Sequence, residues 1–366
     1  MRYGSLFSGA GGLDLAIEEV FGAECAWQCE YDAAASKVLA AHWPDVPNLH
    51  DVTTVDWSTV DPIDILCGGF PCQDVSVAGL RVGIAEGTRS GLWAMFTKAI
   101  AALRPKFVVI ENVRGLHSAE AHRGVESADA TVGDGSDGSV LRATGAVLGD
   151  LAELGYDAQW VTVSAASVGA PHERFRVFIL ATDASSERRT DIARFCSAGR
   201  QSIVTEPGAG DRDRGRDCSA GVRQFRRTAG ELAPVDLLPT PAAADADRGP
   251  DFARAGREGS GGDDLVTLCA RATRGIGTRW GKYEPAISRW EQVTRPAPSP
   301  TEPNTKGNPR LAPVFPEWMM GWPDGWVTAV PGVSRNDQLR IIGNGVVTLQ
   351  AVAALRWLLT VSEAAA

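Results

Sequence analysis

The chain has 366 residues, 44% hydrophobic and 22% charged, which excludes a collagen-like or wholly disordered protein. A formal net charge of −9 speaks only weakly against a nucleic-acid partner, because phosphate contacts need just a local basic surface. Seven cysteines without a C-x-x-C pair argue against a disulfide framework or a zinc site, and for a reducing cytoplasm.

Residues 2–7 read as a strand, followed by a glycine-rich turn and a helix over 13–20. This start leaves no place for a signal peptide. A second strand is expected over 25–30 and an Ala- and Leu-rich helix over 33–42. Short buried-type strands follow at 63–67 and 107–110, the latter among the longest strongly apolar runs and far below membrane-spanning length. Between them 92–103 is helical, and Arg104-Pro105 stops it. A helix over 141–154, closed by Gly155, and strands over 158–164 and 175–181 complete the pattern. Strands alternating with helices imply a parallel sheet covered on both faces. Two stretches break the alternation: 118–139, expected as a mobile loop, and the Arg- and Gly-rich 184–230, expected as a solvated insertion. The span 239–316 is rich in Pro and Gly with isolated tryptophans, and a helical pattern returns over 338–360.

Chemistry concentrates at the strand ends. Phe7-Ser8-Gly9-Ala10-Gly11-Gly12-Leu13 joins a strand to a helix, where glycines let backbone approach a ligand at a helix N-terminus. Asp14 occupies the last place of a G-x-G-x-x-G pattern, which disfavours NAD or FAD. Glu30, about 20 residues on, is spaced to hold ribose hydroxyls, and Tyr31 to stack on an adenine; a surface carboxylate beside a half-buried tyrosine is the plainer alternative. Asp51, followed by Val52, is either an acceptor for an adenine amino group or a turn former.

The strongest signal is Gly68-Gly69-Phe70-Pro71-Cys72, a rigid loop presenting a thiol at a strand end; Cys67 is the better candidate for a structural cysteine. Glu111 ends another strand and is a candidate acid. Arg174 and Arg176 alternate with apolar residues, so a strand would put both guanidinium groups on one face, suited to phosphates or a base carbonyl. Gly343-Asn344-Gly345-Val346 is a turn before the last helix.

In their order these segments resemble the DNA cytosine-5 methyltransferase family: F-S-G-A-G-G, G-F-P-C-Q-D-V-S, I-E-N-V, the Arg-x-Arg strand, R-L-A-P-V-F-P-E-W-M-M-G-W-P and G-N-G-V-V. The resemblance implies an α/β, Rossmann-like sheet that binds S-adenosylmethionine as methyl donor, with no metal. It implies a catalytic domain over 1–183, a smaller, loop-rich target-recognition domain over 184–330, and a segment over 331–366 that returns to the first domain. On this resemblance Cys72 looks like the nucleophile, Glu111 the group at ring nitrogen 3, Arg176 the contact to the cytosine carbonyl, and Arg174 a support for the loop. Phe7, Gly9, Ala10, Gly11, Gly12, Leu13, Glu30, Tyr31, Asp51, Val52, Asn344 and Val346 would hold the donor. His172 stands where glutamine is common in the family, and Thr348 where proline is. The implied partner is double-stranded DNA, approached by a monomer without a membrane, with any companion restriction enzyme acting separately. A transfer-RNA cytosine methyltransferase and a non-catalytic DNA-binding relative are the alternatives.

Overall fold

The computed structural model describes residues 1–70, 91–117, 120–121, 141–185 and 280–365. Strand β1 (Arg2–Leu6) leads into α1 (Gly12–Phe21), then β2 (Glu24–Cys29) and α2 (Ala33–His42). Asp32 starts α2 by accepting from the amides of Ala34 and Ala35, which satisfies two of the helix's free donors. Next come β3 (Ile65–Gly68), α3 (Gly91–Leu103) and β4 (Phe107–Val113). A two-residue pair, β5 (Glu120–Ala121) with β6 (Leu141–Arg142), precedes α4 (Ala143–Glu153), so the helix expected from 141 begins two residues later. Strands β7 (Tyr156–Val163) and β8 (Arg176–Asp183) close the first half.

Six strands form one sheet in the order β2-β1-β3-β4-β8-β7. The β1–β2, β1–β3 and β3–β4 pairs are parallel, whereas β8 runs antiparallel to both β4 and β7. The all-parallel sheet expected from the alternation is thereby corrected to a parallel-dominated mixed one. The reason is the connection: only a single 3₁₀ turn (Ala165–Val168) separates β7 from β8, too little for a covering crossover helix.

Both faces of the sheet are covered. Tyr3, Ile65, Val109, Phe178 and Leu180 face α1 and the C-terminal helices in one apolar cluster. Leu66, Val108, Ile110, Val177 and Ile179 face α3 and α4 in the other. Residues of one strand alternate between the two, as the period-2 geometry requires.

Beyond 280 lie α5 (Glu284–Val293), the hairpin β9 (Thr301–Pro303) and β10 (Pro309–Leu311), and α6 (Val314–Met319). The helical pattern expected over 338–360 resolves into α7 (Arg335–Asn344) and α8 (Thr348–Ala365), separated by Gly345-Val346-Val347. The run Arg335–Ser362 is long and apolar enough by composition to cross a membrane, contrary to expectation. Its apolar side is spent in the core, where α8 packs on α1 and Arg356 pairs with Glu19 at 3.0 Å. The loop expected at 118–139 and the insertion at 184–230 lie almost wholly outside the described residues.

Candidate active site

The ends of β1, β3 and β4 and the α7–α8 turn line an open pocket with a cavity volume of about 60 Å³. It is lined by residues 5–10 and 12–14, Gly68, Gly69, Glu111, Asn344, Gly345 and Val346. Of the predicted donor residues, Phe7, Gly9, Ala10, Gly12, Leu13, Asn344 and Val346 are among its walls.

The turn is fixed by what surrounds it. Phe7 adopts a left-handed conformation (φ 55°), rare for a bulky residue and a sign of local constraint. Gly9 donates its amide to Glu30 Oε2 at 2.8 Å, and Asp32 donates to Glu30 Oε1 at 2.7 Å. Glu30 therefore bridges the glycine turn and the start of α2, and burial pushes its carboxyl up against those two donors. At Gly11 (φ 77°) a side chain would strike the Trp43 ring, so this position caps α1 instead of lining the pocket. Asp14 is fully buried and accepts from Ser5 Oγ (3.1 Å) and Gln28 Nε2 (3.2 Å). Burial pushes its carboxyl up to about 7, although both donors pull the other way.

Tryptophans from the C-terminal half hold this turn in place, which sequence reasoning missed. Trp326 donates its indole N–H to Ala10 O at 2.7 Å, and Trp322 to Val346 O at 3.2 Å. The Trp322 ring fills the space a Cβ would need at Gly345, and at Gly12 the Val346 carbonyl does so at 2.6 Å with the Trp322 ring 3.2 Å away. Trp326 also stacks on His42, with ring centroids 3.5 Å apart. The buried Glu317 carboxylate accepts from the amides of Gly325, Val327 and Thr328 and from the Thr328 hydroxyl, ordering the loop that carries Trp326. Thr348 donates its hydroxyl to Gly12 O at 3.0 Å, a bond proline could not make. The tryptophans at 290, 318, 322 and 326 all belong to the cluster shared with α1 and α8. Their spacing in a W-x-x-x-W-x-x-x-W run was the available signal.

On the opposite wall Glu111 is largely buried and ion-paired through Oε1 with Arg176 Nε at 2.8 Å. Burial raises its carboxyl pKa, while the Arg176 and Arg174 charges and the Arg176 hydrogen bond lower it. Arg174 lies just before β8, not within it, and donates Nη2 to Gly343 O and Gly345 O, both at 2.7 Å. Burial, reinforced by Arg176, brings its guanidinium down to about 10. The two arginines thus flank Glu111 by different routes. His172 bonds Met319 O through Nε2 at 3.1 Å, anchoring the segment before Arg174.

Gly69 passes so close to Glu111 that a Cβ there would sit 2.7 Å from its Oε2. The next carbonyl, of Phe70, accepts from Asn112 Nδ2 at 2.9 Å. The loop leaving β3 is therefore laid directly against the Glu111-Asn112 pair. Cys72, two residues further, and the loop to 90 lie outside the described residues. Cys67 is fully buried, with its thiol pushed well above the usual range by burial, as suits a structural cysteine.

Not every predicted donor residue reaches the pocket wall. Tyr31 is 79% exposed. Asp51 is half-buried and caps its own turn through the Thr53 amide (2.9 Å) and hydroxyl (2.7 Å), which keep its carboxyl low. Val52 is buried in the second apolar cluster. Burial pushes the Cys29 thiol up to about 12, and the Glu30 and Asp51 charges add to that shift. Among the described residues no group of three or more His, Cys, Asp or Glu is placed to hold a metal ion.

The C-5 cytosine-specific DNA methylase family model matches residues 1–207. The Neisseria gonorrhoeae Type II methyltransferase M.NgoBV is 31% identical over 184 residues, 49% of this chain and 40% of its own length. The Haemophilus parahaemolyticus Type II methyltransferase M.HhaI is 31% identical over 180 residues, 49% of this chain and 48% of its own. The alignments thus span less than half the length of these curated relatives. In fold, an E. coli prophage-encoded DNA modification methyltransferase has a TM-score of 0.51 at 18% identity, covering 98% of this chain and 99% of that one. The S. pombe Dnmt2 methyltransferase has a TM-score of 0.52 at 12% identity, covering 98% of each chain. With the family model covering more than half of its 366 residues, the chain belongs to the C-5 cytosine-specific DNA methylase family.

Proposed function

We propose that this chain methylates carbon 5 of a cytosine in a specific double-stranded DNA sequence, with S-adenosylmethionine as donor and Cys72 as nucleophile. The observation that supports this most is that Glu111, with Gly69 against it, opens into the same pocket as the glycine turn. Cys72 follows Phe70 by two residues, a reach of at most about 7 Å.

Carbon 5 of cytosine is a weak nucleophile. Addition of the Cys72 thiolate to carbon 6 forms a C–S bond and turns carbon 5 into an enamine-like carbon. Negative charge then builds on the ring, and Glu111 protonates or hydrogen-bonds nitrogen 3 to meet it. Burial of Glu111 favours the proton that this role requires. Arg176, bound to Glu111, contacts the ring carbonyl in this reading, and Arg174, bound to the α7–α8 turn, supports the active-site loop. The donor supplies an electrophilic methyl on a sulfonium. The glycine turn, Asn344 and Val346 hold it beside the ring, and Glu30 and Asp51 lie toward its ribose and adenine ends. Carbon 5 must finally lose its proton to a base that these residues do not identify, and the electron pair left behind breaks the carbon 6–sulfur bond and releases the Cys72 thiolate.

The target ring is stacked inside duplex DNA, so it must be flipped out, at a cost of about a few kcal/mol. Sequence recognition we assign to the 184–330 span, most of which lies outside the described residues. We further propose a monomer working in the cytoplasm, with any restriction enzyme acting apart.

Incubation with tritiated S-adenosylmethionine and either DNA or RNA tests the reading. Label in duplex DNA, lost in Cys72→Ser while DNA binding persists, is the expected result. Label in RNA alone would move the substrate to transfer RNA, and a Ser variant keeping most of its turnover would end the proposed mechanism.

A further inference from the structure

Three arginines gather where β4 ends and β8 begins. Arg176 is engaged by Glu111 at 2.8 Å. Arg174 is committed to the carbonyls of Gly343 and Gly345. Arg114, the first residue after β4, is different: it is exposed, and no described carboxylate pairs with it. Its guanidinium carbon lies 5.2 Å from the centroid of the Phe175 ring. Phe175, 36% exposed, is among the few large apolar side chains the described surface shows. It adjoins Arg176, whose Nη1 bonds the Phe175 carbonyl at 2.9 Å, and β4–β8 pairing sets Val113 opposite Arg176. The exposed pair therefore stands one residue outside the paired Val113 and Arg176 on both strands.

We propose that Arg114, stacked on Phe175, grips a DNA backbone phosphate beside the extruded cytosine; this rests on the function proposed above. A guanidinium lying on an aromatic ring keeps its edge N–H groups free, and those fit a phosphate in fork geometry. The ring orients the guanidinium and removes part of its freedom before DNA arrives. In a chain of net charge −9, an exposed cation with no carboxylate partner among the described residues, beside Arg176, is where an anionic backbone would be drawn. Phosphate contacts of this kind position the duplex without reading its sequence.

The test is the salt dependence of affinity for a labelled mixed-sequence DNA duplex, measured for the full chain and for Arg114→Ala, Arg114→Lys and Phe175→Ala. Loss of one phosphate contact makes the slope of log K against log salt shallower by about 0.9. Arg114→Ala should show this, and Arg114→Lys should keep the slope but bind more weakly at every salt concentration. Phe175→Ala should weaken binding by a similar factor, and adding it to Arg114→Ala should cost nothing more. S-adenosylmethionine affinity should be unchanged in all three, which verifies the fold. An unaltered slope in Arg114→Ala overturns the clamp alone. A wild-type chain that binds no duplex DNA overturns both the clamp and the function it rests on.

Discussion

The two walls of the pocket are built from different materials. The donor wall is mostly backbone: a glycine turn and the α7–α8 turn, locked by indole N–H groups on their carbonyls and by the bulk of Trp322. The base wall is side-chain charge: a largely buried carboxyl, one arginine bonded to it and a second nearby. A backbone wall gains its shape from packing elsewhere, so its weak points are remote from the ligand. A charged wall does its work through individual groups, so its weak points are the groups themselves.

Four substitutions would break or sharpen this contrast. Glu111→Gln should cut kcat by about 10²–10⁴-fold, the usual worth of a positioned acid, with little change in donor affinity; single-turnover methyl transfer measures it. Trp322→Ala should do the opposite. It empties a buried space beside Gly12 and Gly345, should lower unfolding free energy by about 3–5 kcal/mol, and should raise the KM for donor before touching kcat; denaturant unfolding and donor titration check both.

Asp14→Asn separates charge from shape within the donor wall. The folded chain holds a proton on Asp14 up to about pH 7, whereas an ordinary aspartate releases it near 4. The native state therefore loses stability as pH rises through that window, by up to about 4 kcal/mol. Asparagine can accept from Gln28 and donate to the Ser5 hydroxyl without titrating, so the variant should lack Asp14's share of the pH dependence between pH 4 and 7 and exceed the parent's stability at pH 8; thermal melts of both across that range decide it. Smallest is Thr348→Val, which removes the hydroxyl bond to Gly12 O and should cost about 1 kcal/mol of stability with kcat unchanged.

The charged wall was far more legible in the sequence than the backbone wall. The spacing of the arginines did not put both on one strand, since Arg174 lies before β8, but Glu111 announced itself as a carboxyl following an apolar run, because that signal is local. The strand–helix alternation up to Asp183 was readable for the same reason. Reversal of β8 was missed although the gap between the expected strands, 164 to 175, is shorter than a parallel crossover needs. What closes the glycine turn was not legible at all: Trp326 and Ala10 are 316 positions apart, and no local pattern couples them. Tyr31, at the expected spacing after the turn, is 79% exposed and outside the pocket lining, a placement that spacing alone does not encode.

Long-range closure also sets a timetable. Ala10 and Gly12 emerge early from the ribosome, but their partners Trp326 and Thr348 are made near the end of the chain described here. A nascent chain lacking those residues has no finished donor wall until the C-terminal helices have docked. A fragment ending before α6 should bind no donor, and should regain it when the missing piece is supplied in trans.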